Sequence, residues 1–148
     1  MNYKKILFAT DFSPASDAAL QYATSLTRDS GALLLIVHVE EPPLPYTGGE
    51  MYFTPPEYPN PEVRRMLHAI VPPDATIRYE HRLEMGDAAE EIVRVAGEEA
   101  VDLIVIGTHG RTGLRHLLMG SVAETVMRHA SCPVLTLKQA NKAPEAGQ

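Results

Sequence analysis

Four short, almost wholly apolar runs, and a fifth stretch in which apolar and polar residues alternate, are separated along this chain by segments whose apolar residues recur every three or four positions. Lys5-Ile6-Leu7-Phe8-Ala9-Thr10 reads as a first, buried strand. Asp11-Phe12-Ser13-Pro14 then turns the chain, with Ser13 suited to a helix N-cap and Pro14 to the first helical position. Ala18, Ala19, Tyr22, Ala23 and Leu26 fall at helical spacing, which predicts a helix over 14–29 packed on a sheet and closed by Gly31. Residues 33–39 are nearly all apolar, as a central strand covered on both faces requires.

The rhythm breaks between residues 40 and 61, where prolines and a Gly48-Gly49 pair prevent long regular structure. An excursion of this length in a compact domain is either a functional lid or a mobile surface loop, and Tyr46, Met51, Tyr52, Phe53 and Tyr58 give it apolar substance. Regularity returns with a short helix over 62–70, ended by Pro72-Pro73, and an alternating stretch over 76–83 that predicts a strand near a sheet edge. Asp87 and Glu90 form a capping-box pattern for a helix reaching about residue 99, with Ile92, Val93 and Ala96 inward. A fourth strand over 103–106, a helix over 121–130 and a fifth strand over 133–137 follow, and the polar end, 138–148, is expected to fray.

Strict strand–helix alternation predicts an α/β fold, a parallel sheet with helices on both faces joined by right-handed crossovers. In such folds a ligand sits beyond the carboxyl ends of the strands, where strand order reverses. Asp11 ends the first strand and Gly107 the fourth, so the two share a crevice if those strands are neighbours, which the residue pattern alone does not decide. The 148 residues fit one domain, over 1–140, with a polar tail over 141–148. No apolar run is long enough to span a bilayer, and Met1-Asn2-Tyr3-Lys4-Lys5 leads directly into a strand rather than a leader segment. The single cysteine, Cys132, excludes an internal disulfide and fits a reducing cytoplasm, as a small buried apolar residue. A net charge of −6 with no basic stripe argues against long nucleic acid as a partner.

The chemistry concentrates in Gly107-Thr108-His109-Gly110, followed after nine residues by Gly120-Ser121. A buried strand here empties into a glycine-punctuated loop that feeds a helix N-terminus. Free backbone N–H groups and the positive end of the helix dipole suit an anion, phosphate above all, and the glycines let it approach the main chain. Ser121 has two readings, an N-cap paired with Glu124 or a phosphate contact. Asp11 is either a turn former or a carboxylate that holds a ribose hydroxyl, adenine, or a Mg²⁺ carried by the phosphates. His109 and Arg111 are candidate phosphate contacts within the loop, Arg115 and His116 weaker ones, while His38 on its apolar strand reads as a satisfied core histidine. The histidines and the cysteine show no metal-site spacing, and no serine sits in a G-x-S-x-G hydrolase motif.

Taken together, Lys5-Ile6-Leu7-Phe8-Ala9-Thr10-Asp11-Phe12-Ser13, Gly86-Asp87-Ala88-Ala89-Glu90-Glu91-Ile92, Asp102-Leu103-Ile104-Val105-Ile106-Gly107-Thr108-His109-Gly110 and the closing Gly120-Ser121-Val122-Ala123-Glu124 and Ser131-Cys132-Pro133-Val134 resemble the universal stress proteins. The Gly107-x2-Gly110-x9-Gly120-Ser121 spacing is similar to that of the family's ATP-binding branch. The resemblance covers about residues 3–138 and implies a three-layer αβα sandwich of the adenine nucleotide alpha hydrolase type, with a five-stranded parallel sheet of order 3-2-1-4-5. It implies a homodimer paired through the fifth strands, and nucleotide contacts at Thr10, Asp11, Val39, Gly107, His109, Gly110, Gly120, Ser121 and Val122. The proline-rich excursion departs from the family's pattern.

No G-x-x-x-x-G-K-[ST] motif supplies a lysine to terminal phosphates, and no glutamate or glutamine in the loop is placed to orient water. Backbone dipoles that grip ground state and transition state alike give affinity without much rate. The expectation is therefore a cytoplasmic stress-response module that binds ATP, ADP or AMP, with Mg²⁺ where phosphates need it. Hydrolysis is slow at most, and the regulated partner protein is not named by the sequence. Two other classes stay open: an ATPase or adenylyl or phosphoryl transferase, and an adaptor whose partner docks on the 40–61 excursion or the dimer surface.

Overall fold

The computed structural model describes residues 2–42, 58–108 and 120–138. Its elements run β1 (Lys5–Ala9), α1 (Pro14–Ser30), β2 (Leu33–Glu40), α2 (Pro61–His68), β3 (Arg78–Met85), α3 (Ala88–Glu98), β4 (Leu103–Gly107), α4 (Ser121–His129) and β5 (Val134–Leu137). The strands form one parallel sheet in the order β3-β2-β1-β4-β5. β1 is central: Leu7 pairs with Leu35 of β2 on one side and with Ile104 of β4 on the other.

Because successive strand residues point to opposite faces, an all-apolar strand serves two cores at once. Leu7, Leu35, Val37, Ile104 and Ile106 pack on Ile92 and Val95 of α3 and Ala123 and Val126 of α4. Ile6, Phe8, Leu34, Ile36 and Val105 pack on Ala19 and Ala23 of α1 and Leu67 of α2. Each of the large side chains, fully buried, contributes about 1.5–3 kcal/mol.

The faces of α1 and α3 differ in part from the periodicity reading. Tyr22 is 58% exposed, and the buried stripe of α1 is Ala15, Ser16, Ala19, Ala23, Thr24 and Thr27. These small residues let α1 lie close to the sheet, which a tyrosine at the contact would prevent. In α3 the fully buried valine is Val95, whereas Val93 is only half-buried. Apolar spacing marks a helical stripe but does not say which neighbour of a β-branched pair reaches the core.

The helix ends follow local chemistry. Ser13 caps α1 with Pro14 at its first position, and Gly31 closes it at φ +70°. Asn60 caps α2 by accepting from the Glu62 amide at 2.9 Å, one residue ahead of the sequence reading. At α3, Asp87 accepts from the Glu90 amide at 3.0 Å. β3 begins at Arg78 and extends to Met85, and its mostly exposed face fits the expected edge position.

Candidate functional site

β1 and β4 are neighbours, and the chain leaves them toward opposite faces, β1 to α1 and β4 to α4. A crevice therefore opens beyond their carboxyl ends, with a cavity of about 520 Å³. Thr10, Asp11, Val39, Gly107, Gly120, Ser121 and Val122 all line it. His109, Gly110, Arg111, Arg115 and His116 lie outside the described residues, as does most of the 40–61 excursion.

The wall from β1 is a pair of tight side-chain turns. The Phe12 amide donates to Thr10 Oγ1 at 3.0 Å and the Ser13 amide to Asp11 Oδ1 at 3.0 Å, with Phe12 itself at φ +65°. Ser16 Oγ also donates to Asp11 Oδ1, at 2.7 Å. Burial pushes the Asp11 carboxyl up, but the hydrogen bonds from Ser13 and Ser16 outweigh it and hold the group below its ordinary value. Asp11 thus presents a charged carboxylate on the cavity wall. The hydrogen bonds from Ser13 and Ser16 bear out its reading as a turn former.

β2 supplies the next wall. His38 Nδ1 donates to the Thr10 carbonyl at 2.7 Å; a carbonyl only accepts, so Nδ1 carries the proton. The hydrogen bond bears out the reading of His38 as a satisfied histidine, but the residue is half-buried and borders the cavity, with its ring 4.3 Å from that of Phe12, rather than lying in the core. Glu40 and Glu41 border it as well, and sequence reasoning passed over both. Glu40 Oε2 accepts from the Asn60 amide at 3.1 Å, and Glu41 Oε1 accepts from the Ala88 amide in the first turn of α3 at 3.2 Å. Their position at the end of β2 and just past it was the available signal, since strand carboxyl ends are where such sites form.

β4 and α4 complete the site. The Thr108 amide donates to the Leu137 carbonyl at 2.9 Å, and the Gly120 amide donates to the Thr108 carbonyl. Gly120, not Ser121, is the N-cap of α4, and no side chain caps that end. The Ser121–Glu124 capping box is therefore not formed. Among the described residues no side-chain acceptor meets the first-turn amides of α4, which open beside the cavity, whereas α1, α2 and α3 are capped by Ser13, Asn60 and Asp87. Gly107 has a packing reason besides any ligand: a Cβ there would stand 3.1 Å from Ala15. Cys132 is partly exposed rather than buried, and burial of its thiol raises its pKa, so nothing activates it as a nucleophile.

A doubly wound parallel sheet with a crevice at its switch point, one wall ending in the N-terminus of α4, defines the class of α/β domain to which this fold belongs. Residues 2–138 match the model of the universal stress protein family, and the chain belongs to that family. It is 34% identical to universal stress protein MJ0531 of Methanocaldococcus jannaschii, over 95% of this chain and 85% of that one. It is 36% identical to universal stress protein A homolog 1 of Coxiella burnetii, over 93% of this chain and 97% of that one. Among solved structures, a universal stress protein from Archaeoglobus fulgidus in complex with dAMP superposes with a TM-score of 0.68 at 26% identity, over 93% of this chain and all of that one. The five-stranded order and the family expected from the motifs are both borne out.

Proposed function

We propose that this protein binds an adenine nucleotide in the crevice between β1 and β4 and acts as a nucleotide-dependent regulatory module of the stress response. The observation that carries the reading is the N-terminus of α4, which opens beside the cavity without a side-chain cap. Main-chain amides and the positive helix end there suit phosphate oxygens. Asp11, Glu40 and Glu41 on the other walls are acceptors matched to hydroxyl or amino hydrogens of a nucleoside. The dAMP complex of the Archaeoglobus relative supports the same ligand class. Thr10, Val39, Gly107, Gly120, Ser121 and Val122 are the proposed contacts from the described chain, with His109, Gly110 and Arg111 proposed from the motif.

ATP is the proposed physiological ligand, with AMP and ADP as alternatives. Asp11, a charged oxygen donor, fits a Mg²⁺ held by the phosphates, whose role would be to offset their charge. Among the described residues lining the cavity none is lysine or arginine, which favours binding over phosphoryl transfer.

The proposed assembly is a homodimer through β5, an edge strand whose Val134, Leu135 and Leu137 are only half-buried. The opposite edge carries Arg78, Glu80, Arg82 and Glu84, which discourage strand addition. The proposed setting is the cytoplasm, with a regulated protein as the further partner.

Isothermal calorimetry with AMP, ADP and ATP, each with and without Mg²⁺, tests the reading. Binding of at least one is expected, and no heat with any of them overturns it. Steady-state ATP turnover above about one per second would instead make the protein an enzyme.

A further inference from the structure

We propose that the Thr108 hydroxyl is a donor to a phosphate oxygen of the bound ligand, an inference that rests on the nucleotide reading above. Thr108 stands just past β4. Its backbone is fully committed, the amide to Leu137 and the carbonyl to Gly120. The residue is 3% exposed and lines the cavity, and among the described residues Oγ1 has no hydrogen-bond partner.

A buried hydroxyl without a partner destabilises a fold, whereas an apolar group of the same shape does not. Valine would fill the same volume as threonine without that penalty. The protein therefore carries an unfavourable polar atom in a residue that lines its cavity, and a ligand that accepts a hydrogen bond relieves it.

The nature of the acceptor follows from what lies beside it. The Gly120–Thr108 hydrogen bond seats this residue against the first turn of α4, whose leading amides have no partner within the helix and, among the described residues, no side-chain cap. The main-chain groups that open there are donors. A phosphate, all of whose exposed oxygens accept, satisfies the hydroxyl and the amides together. Thr27 provides the contrast. Its Oγ1 is also buried and unpartnered, but the residue packs within α1 and is not among those lining the cavity.

The test compares AMP with adenosine, which lacks the phosphate, by calorimetry on the full-length protein and its Thr108→Val, Thr108→Ser and Thr27→Val variants. Thr108→Val is expected to raise the unfolding temperature without ligand and to weaken AMP binding about tenfold, leaving adenosine affinity unchanged. Thr108→Ser should hold AMP affinity within about threefold, and Thr27→Val should not alter it. Should Thr108→Val fold poorly, Thr108→Ala repeats the comparison without a branched side chain. Equal AMP affinity in wild type and Thr108→Val overturns the inference while leaving the nucleotide reading intact. So does an equal loss for AMP and adenosine. A wild type that binds no adenine nucleotide overturns both.

Discussion

Gly107 lies directly against Ala15: a Cβ on the glycine would stand 3.1 Å from the carbonyl carbon, the carbonyl oxygen and the Cβ of the alanine. The obstacle is mostly main chain in the first turn of α1, which cannot swing aside as a side-chain tip can. Gly107→Ala is therefore expected to destabilise by about 1–3 kcal/mol. Because Ser16 of that turn holds Asp11, the same substitution should disturb the cavity wall. Gly97, in α3, has nothing within 4 Å of an added Cβ. Gly97→Ala should stabilise by about 0.5–1 kcal/mol. Urea denaturation of the two variants checks both signs.

The caps give a second pair of opposed expectations. Asp87→Ala removes the acceptor for the Glu90 amide and should cost about 1 kcal/mol. Ser121→Ala removes no cap, since Gly120 holds that position, and should change the stability of the ligand-free protein by less than about 0.5 kcal/mol. Equal losses in thermal denaturation would mean that Ser121 caps α4 after all.

Thr27→Val should stabilise the fold by about 1 kcal/mol, because it removes a hydroxyl with no partner at a position 1% exposed. Valine and threonine have similar helix propensities, so the helix itself adds little to the difference. An unchanged or lower urea midpoint would contradict the orphaned state of this oxygen.

Acid stability should depend on Asp11. Its folded pKa is below the ordinary 3.8, so folding favours the charged form. That contribution is complete above 3.8 and is lost as pH falls through the lower folded value. Asp11→Asn should therefore be less stable than wild type at neutral pH, and the gap should close in the acid range below 3.8. Thermal unfolding of both proteins across pH 2–7 gives the comparison, and a gap independent of pH would contradict it.

The alternation of apolar runs with helical segments carried the architecture because each run is sufficient by itself to require burial on two faces. Ser13-Pro14, Gly31 and Asp87 marked helix ends for the same reason: capping is local, and the groups that satisfy a helix terminus lie within a few residues of it. The Gly107–Gly120 motif also pointed to the strand exit where the crevice lies.

What sequence could not supply was anything decided by contact between distant segments. Strand order came from resemblance to a family rather than from periodicity. Tyr22 fits the helical spacing yet faces outward because α1 lies too near the sheet for a large ring. Ser121 looked like a cap, but Gly120, bonded to the Thr108 carbonyl, holds that position and makes no side-chain cap. His38, Glu40 and Glu41 reach the cavity because β2 runs parallel beside β1 and continues past its end, Ala9 pairing with Val37. The orphaned hydroxyl of Thr108 is likewise invisible in one dimension, since a missing partner is a property of the space around an atom. Local patterns determined which segments fold and into what; the packing of β4 against α1 and α4 determined which donors and acceptors face the cavity.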